Sequence, residues 1–294
     1  MIELDAPPLI LNRYSKYIPP KTQFLKWVGN KQKFAAEITK HFPVEFNKYH
    51  EPFLGSGAVL ATVKPNHGVG SDTFAPLIEI WEKLKTNPNE VIQWYKSWRD
   101  QLDSEKKEVV YEKVKHAYNS KPNGKDFLYL SRACYGGIIR FRRDGHMSTP
   151  CGVHIPIPVK AFAERVRIWH KRVENTEFIT QDYRHAFEVA SEGDLIYCDP
   201  PYSHSQSILY GAQDFSLETL LQEILKAKNR GVFVALSIDG NKKSGNKICN
   251  LPIPENLFEQ EVLIDCGKSM LRRFQIEGQK MIGEGVFDRL MLTY

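Results

Sequence analysis

A Gly-x-Gly turn between a short strand and a helix near the start of the chain most constrains the fold. Residues 49–53 predict the strand, Gly55-Ser56-Gly57 forms the turn, and the small apolar residues after it predict the helix. This order is typical of the nucleotide-binding opening of an α/β sheet. The third glycine of a dinucleotide fingerprint is replaced by Leu60. The turn therefore favours a compact ligand group over a pyrophosphate, which makes a nicotinamide oxidoreductase the weaker alternative.

The alternation of strands and helices occurs in two blocks, which are separated by a segment of charged, aromatic-rich helical patterns. The patterns predict helices over 31–42, 76–85 and 217–228, and strands around 68–72, 178–180, 195–197 and 232–236. We therefore predict an α/β sheet built from residues 1–86 and 174–294, with a mostly helical inserted domain over residues 87–173.

The inserted segment carries the clearest basic cluster. Its charged helices, one of them predicted over 159–173, are punctuated by aromatic residues and interrupted by a stretch rich in Gly, Arg and Pro. In that stretch Arg140, Arg142 and Arg143 flank Phe141. Arginine contacts phosphates or, bidentately, guanine edges, so we predict that these three bind DNA. The lysine-rich loop over 241–247 is a weaker candidate.

Asp199-Pro200-Pro201-Tyr202 directly follows a predicted strand and carries the chemistry. The reaction that this motif suits is methylation of an exocyclic amino group of a base, such as that of adenine. That nitrogen is a weak nucleophile, because its lone pair is delocalised into the ring. The Asp199 carboxylate and the Pro200 carbonyl are two acceptors that could localise this lone pair. The Pro-Pro pair fixes φ and so holds the carbonyl in place. Tyr202 offers a face for stacking a base flipped out of the duplex.

Asp72 ends the strand that follows the glycine turn. An acidic side chain there can bind both hydroxyls of a ribose. The alternative is that it caps the next helix, and both roles can hold together.

These motifs resemble those of the Dam-like (D12 class, alpha group) DNA adenine methyltransferases, which include restriction-modification enzymes. Residues 24–31, 51–57, 71–78 and 199–202 resemble that family's cofactor, glycine-loop, ribose and catalytic segments. The resemblance implies a Rossmann-like sheet that binds S-adenosyl-L-methionine, and methyl transfer to the exocyclic amino group of adenine in double-stranded DNA. It implies the following cofactor-binding residues: Trp27, Lys31, Phe53, Gly55, Gly57, Asp72, Asp182, Tyr183 and Asp199.

The resemblance extends into the insert, where Tyr135 and Arg140 fall at positions at which relatives touch DNA. Gly136 replaces a usual Asn, and residues 146–150 depart from the usual hairpin sequence. Residues 268–273 only loosely resemble the family's Arg/Ser-rich segment. No target sequence is therefore assigned.

Three other functions compete with this prediction. Methylation at carbon 5 of cytosine needs a cysteine nucleophile, and Pro150-Cys151 offers one, but no apolar strand precedes it. Methylation of the exocyclic amino group of cytosine uses the same chemistry as proposed for Asp199, although that motif usually opens with Ser. A DNA-binding relative without catalysis is disfavoured by the intact Asp72 and Asp199.

Composition indicates the cellular compartment and the kinds of partner to expect. Five cysteines without paired spacing argue against a disulfide framework and a zinc site, so we expect no metal and a reduced, cytoplasmic compartment. Neither an apolar membrane span nor a secretory signal is visible. The net charge of +5 says little about partners. We expect a monomer, and we leave open a separate restriction endonuclease as a partner.

Overall fold

The computed structural model describes residues 17–201, 215–239, 253–268 and 285–294. Within these ranges one seven-stranded sheet has the order β3-β2-β1-β4-β5-β7-β6. Strands β1 to β5 run parallel, and β7 is antiparallel to both β5 and β6. The strands are β1 (Tyr49–Glu51), β2 (Gly68–Asp72), β3 (Thr176–Thr180), β4 (Leu195–Cys198), β5 (Phe233–Asp239), β6 (Gln260–Lys268) and β7 (Gly285–Leu292).

The helices follow the local apolar spacing of the sequence. Those of the described residues are α1 (Ala35–Thr39), α2 (Ala58–Val63), α3 (Ala75–Thr86), α4 (Pro88–Arg99), α5 (Lys107–Ser120), α6 (Gly124–Ala133), α7 (Val159–Val173), α8 (Tyr183–Val189) and α9 (Leu217–Lys228). The predicted bounds of α7 and α9 are confirmed, because each helix buries one continuous apolar face.

The first helix is shorter than predicted. The sequence predicts a helix over residues 31–42, whereas α1 begins after Phe34 and ends at Thr39. The preceding turn is closed by a bond from the Phe34 N–H to the Lys31 carbonyl. Lys31 and Gln32 are buried there, so the turn directs polar side chains inward instead of continuing an amphipathic helix.

The strand order creates a switch point between β1 and β4. From β1 the chain moves outward through β2 and β3, and from β4 it moves outward through β5 in the other direction. Ligands of open α/β sheets bind in the crevice outside the carboxyl ends of the strands at such a point. The predicted α/β class is therefore confirmed, and the segments after Glu51, Asp72 and Cys198 all open onto this crevice.

The segment between β2 and β3 contains helices α3 to α7. Phe24 and Trp81 lie in one buried core with Phe162 and Trp169 of α7. The Trp169 ring contacts Phe24 and Trp81, with centroids 6.0 and 5.8 Å apart, and its N–H donates to the Thr22 carbonyl. The helical insert thus packs directly on the flank of the sheet. Its division from the sheet at residues 87 and 173 stays a prediction.

Between α6 and α7 the chain folds back on itself in a narrow ribbon, residues 134–151, which we call the arginine ribbon. Antiparallel bridges join Cys134 to Cys151 at its base and Phe141 to Met147 nearer its tip. The Ser148 N–H donates to the Arg140 carbonyl between these bridges. The irregular stretch predicted from glycine and proline is therefore an ordered ribbon at its centre.

None of the described helices has both the length and the apolar character needed to cross a membrane. Across the same part of the chain, no group of three or more His, Cys, Asp or Glu side chains is arranged to hold a metal ion.

Candidate active site

A cavity of about 560 Å³ lies at the carboxyl edge of the sheet, next to the switch point. Its volume is in the range of pockets that hold small ligands or cofactors. The structure brings most of the predicted catalytic and cofactor residues together in its wall: Trp27, Lys31, Phe53, Gly55, Asp72, Asp182, Tyr183, Asp199 and Pro200. Segments that are far apart in the sequence therefore meet at one concave site.

The glycine turn is packed closely between the side chains of Trp27 and Trp81. Gly55 has φ +44°, and a Cβ at this position would meet Trp27 Nε1 at 2.7 Å. From the other side, the Trp81 indole N–H donates to the Gly55 carbonyl at 3.3 Å. Only glycine fits both this backbone conformation and this space.

Gly57 differs from its neighbour in the turn. It is absent from the cavity wall, and a Cβ there would meet the Trp81 ring at 2.8 Å, with φ +58°. Close packing against Trp81 therefore explains this glycine without a ligand. Its predicted contact with a cofactor stays a prediction.

Asp72 braces the glycine turn from the end of β2. Its carboxylate accepts bonds from the Gly55 N–H at 3.2 Å and the Phe74 N–H at 3.1 Å. Burial raises the pKa of this carboxyl to about 6, although the backbone N–H groups work in the opposite direction. The N-cap residue of α3 is Phe74, two positions after Asp72. Asp72 is therefore not the N-cap of α3, which was the alternative role considered for it.

Lys31 forms the ionic centre of the site. Its ammonium lies 3.1 Å from Asp199 Oδ1 and 3.0 Å from Asp288 Oδ2, with only 6% of the Lys31 side chain exposed. A buried ammonium needs such partners, because desolvation without them costs several kcal/mol. Asp288 comes from β7 and was not among the predicted site residues. No motif surrounds it in the sequence.

Glu51 is a second group that the residue-by-residue prediction missed. It ends β1, is 3% exposed, and accepts a hydrogen bond from the Tyr49 hydroxyl at 2.6 Å. Burial is the main reason that the pKa of its carboxyl is raised to about 8; the nearby Asp199 charge also raises this pKa, and the bond from the Tyr49 hydroxyl lowers it. Glu51 is therefore protonated at neutral pH. The sequence did contain a signal for Glu51, because it is the first residue of the segment 51–57 that resembles the family's glycine loop.

An aromatic cluster forms another part of the wall. Phe53 stacks on Tyr183 with centroids 5.1 Å apart, and Phe215 meets Phe53 edge-on at 5.8 Å. Phe215 was not predicted, because it lies in no motif. Asp182 caps α8 by accepting the Arg184 N–H and also forms an ion pair with the Arg184 guanidinium, so it has a structural role here.

The predicted DNA-binding residues lie apart from the cavity wall. Tyr135, Arg140, Arg142 and Arg143 are exposed on the arginine ribbon. Arg142 forms an ion pair with Asp144 at 3.2 Å. The predicted catalytic Tyr202 lies outside the described residues, as do the loop over 241–247 and the side chains of 268–273.

Neither cysteine near the predicted sites is placed as a nucleophile. Cys198 is fully buried beneath Asp199, and burial raises the pKa of its thiol well above the usual value. Cys151 faces Cys134 at the base of the arginine ribbon and is absent from the cavity wall. The carbon-5 alternative therefore has no support in this geometry.

The sheet and its cavity define an α/β enzyme with a ligand site at the topological switch point. A family model described as D12 class N6 adenine-specific DNA methyltransferase matches residues 27–262, and the chain belongs to this family. The predicted Rossmann-like methyltransferase fold and the predicted enzyme class, an adenine-specific DNA methyltransferase, are confirmed. The alternative of cytosine amino methylation is not supported.

Individual relatives agree with the family. A DNA adenine methylase of Vibrio cholerae is 28% identical over 227 residues, which cover 73% of this chain and 80% of the relative. The type II methyltransferase M.MjaIII of Methanocaldococcus jannaschii is 29% identical, over 61% of this chain and 68% of its own. The type II methyltransferase M1.LlaDCHI of Lactococcus lactis is 26% identical, over 92% and 94%.

We predict that Glu51→Gln makes the stability of the fold less sensitive to a rise in pH from about 4.5 to 8. The folded-state pKa of about 8 exceeds that of an exposed glutamate, so the folded wild type loses stability as pH rises from about 4.5 to 8. Glutamine resembles the protonated acid and cannot ionise. The melting temperature of the variant should therefore rise relative to wild type between pH 5 and pH 8. Parallel melting curves at all pH values would contradict the assignment of a buried, protonated Glu51.

Proposed function

We propose that the protein transfers a methyl group from S-adenosyl-L-methionine to the N6 amino group of an adenine flipped out of double-stranded DNA. The observation that carries this proposal is the convergence of Asp199 and Pro200 with Asp72 and Gly55 on one cavity. Acceptors suited to an amino group and a carboxylate suited to a ribose share a wall there. Family membership supports adenine as the base.

The residues of the cavity fit the proposed cofactor. Gly55 lines the cavity with backbone atoms only, because the Trp27 ring occupies the space that a side chain would need. Asp72 supplies a carboxylate for ribose hydroxyls. The faces and edges of Phe53, Tyr183 and Phe215 suit a flat base such as the cofactor's adenine. When bound, S-adenosyl-L-methionine supplies an electrophilic methyl group.

Asp199 and Pro200 act on the target amine in this proposal. The amino group donates its two hydrogens to the Asp199 carboxylate and the Pro200 carbonyl, which draws the lone pair out of the ring. Both acceptors follow β4 directly and are held by the sheet, so little reorganisation is needed in the transition state. Tyr202 is proposed to stack on the flipped base.

The arginine ribbon is proposed to read DNA beside the cavity mouth. Its Phe141 contacts Phe74 of the cavity wall, with centroids 5.6 Å apart. Gly137 lies against Lys26, where a Cβ would approach the Lys26 side chain to 3.2 Å. A duplex held by Tyr135 and the ribbon arginines would therefore lie close to the site that receives the base.

The biological setting stays a proposal. Two of the relatives are named type II methyltransferases, which supports a place in a restriction-modification system. A separate endonuclease partner, action as a monomer and a cytoplasmic location stay predictions.

Asp199→Ala should reduce methyl transfer by about 10²–10³-fold, because it removes one of two preorganised acceptors. The measurement is single-turnover transfer of labelled methyl groups to DNA, with melting curves as a check on folding. Glu188→Ala is the matched control, since it removes an exposed carboxylate of α8. Near-wild-type turnover in Asp199→Ala would rule out the proposed mechanism.

Asp72→Asn should raise the KM for S-adenosyl-L-methionine more than it lowers kcat, because ribose contacts are alike in the ground and transition states. Asparagine keeps one acceptor oxygen, so it can retain only one of the two bonds from the Gly55 and Phe74 N–H groups, and melting curves check that the turn stays folded. The wild-type KM should also rise as pH falls through about 6, where Asp72 becomes protonated. A collapse of kcat at constant cofactor affinity would refute the ribose role.

Arg140→Ala should relax base preference at one position of the recognition site by about 1–3 kcal/mol if Arg140 contacts a base edge. The measurement is methylation of oligonucleotides that each differ from the mapped site at one base. Arg142→Ala is the comparison variant: Arg142 is also exposed on the ribbon and pairs with Asp144, and as a phosphate contact its loss should weaken methylation of all oligonucleotides alike. A uniform loss over all oligonucleotides in Arg140→Ala would leave this residue a phosphate contact only.

A further inference from the structure

The last strand of the sheet contributes a charged group to the active site. Asp288 lies on β7 beyond residue 262, where the match to the family model ends. Its Oδ2 lies 3.0 Å from the Lys31 ammonium, which also lies 3.1 Å from Asp199 Oδ1. The Asp288 and Asp199 side chains are 12% and 19% exposed, so solvent screens this group of charges weakly.

The formal charges of this group do not cancel. Lys31 carries one positive charge, and Asp199 and Asp288 carry one negative charge each, so the three together carry one negative charge. Glu51 adds none near neutral pH, because it is protonated. Without Asp288 the ammonium would neutralise Asp199 more completely, and a neutralised carboxylate is a weaker acceptor for a group that becomes positive.

A positive charge does develop at the target nitrogen. During transfer an N–C bond forms while the C–S bond of the donor breaks, and the electron pair of that bond stays on sulfur. The amino nitrogen carries a positive charge until one of its protons passes to water. Negative charge held beside the nitrogen stabilises this transition state.

We propose that Asp288 is a positioning residue for catalysis, which shares the Lys31 ammonium and thereby leaves the negative charge of Asp199 available to the target amine. The inference rests on the proposed role of Asp199. Asp288 is well placed for this task, because β7 is paired on both sides, with Asp288 opposite Asp239 of β5 and Ile264 of β6. The ammonium is therefore held from a rigid strand.

Asp288→Asn should lower kcat by about tenfold and change the KM for S-adenosyl-L-methionine and for DNA by less than about twofold, since the lost interaction acts mainly in the transition state. Asp288→Glu keeps the charge and should recover part of the rate. Glu261→Gln is the matched control: it removes an exposed carboxylate from β6 that pairs with Arg289, the neighbour of Asp288. Melting curves and cofactor binding check that each variant is folded.

A double-mutant cycle with Lys31→Met tests whether Asp288 acts through Lys31. If it does, Asp288→Asn should cost much less in the Lys31→Met background than in wild type, because no ammonium remains to be shared. An equal loss of kcat in both backgrounds would overturn the inference, as would an unchanged kcat in Asp288→Asn.

The outcomes separate this inference from the proposed function. If the wild-type protein methylates adenine and the Asp288→Asn variant is fully active, only the proposed role of Asp288 is refuted. Wild-type protein that transfers no methyl group to DNA overturns the proposed function and this inference with it.

Discussion

The buried ammonium of Lys31 is the interaction on which the geometry of the site depends. A charge removed from water must be paired, and two carboxylates that pair with Lys31 come from the end of β4 and from β7. Three distant parts of the chain must therefore be in place at once: the turn before α1, the catalytic segment and the final strand. The antiparallel edge of the sheet is in this sense part of the active site, although it carries no recognisable motif.

Much of the site could be predicted because its signals are local. A strand followed by a Gly-x-Gly turn needs only neighbouring residues to be identified, and so does the apolar spacing of α7 and α9. Asp72 and Asp199 both follow strands, and parallel strands place their carboxyl ends at one edge. The sequence therefore indicated that the two carboxylates share a site before any long-range contact was known.

The remaining features depend on tertiary contacts that no local pattern encodes. Asp288 stands in an ordinary strand, and its importance comes from a lysine 257 positions away. Phe215 joins the aromatic cluster only because α9 packs beside α8. Gly57 belongs to the predicted turn, yet the Trp81 ring fills the space beside it. Strands β6 and β7 escaped prediction because the alternation of apolar and polar residues along them is weak, and their place in the sheet is set by long-range pairing with β5 and with each other.

The pairing of β2 with β3 has a consequence for how the chain folds. These strands are in register from Gly68 with Thr176 to Asp72 with Thr180, although the whole helical insert lies between them in sequence. Closing so long a loop carries an entropic cost that is recovered only when the strands dock. The insert is rich in local helical contacts, and α7 shares its core with the sheet. We therefore expect the insert to form early and to bring β3 to its place beside β2.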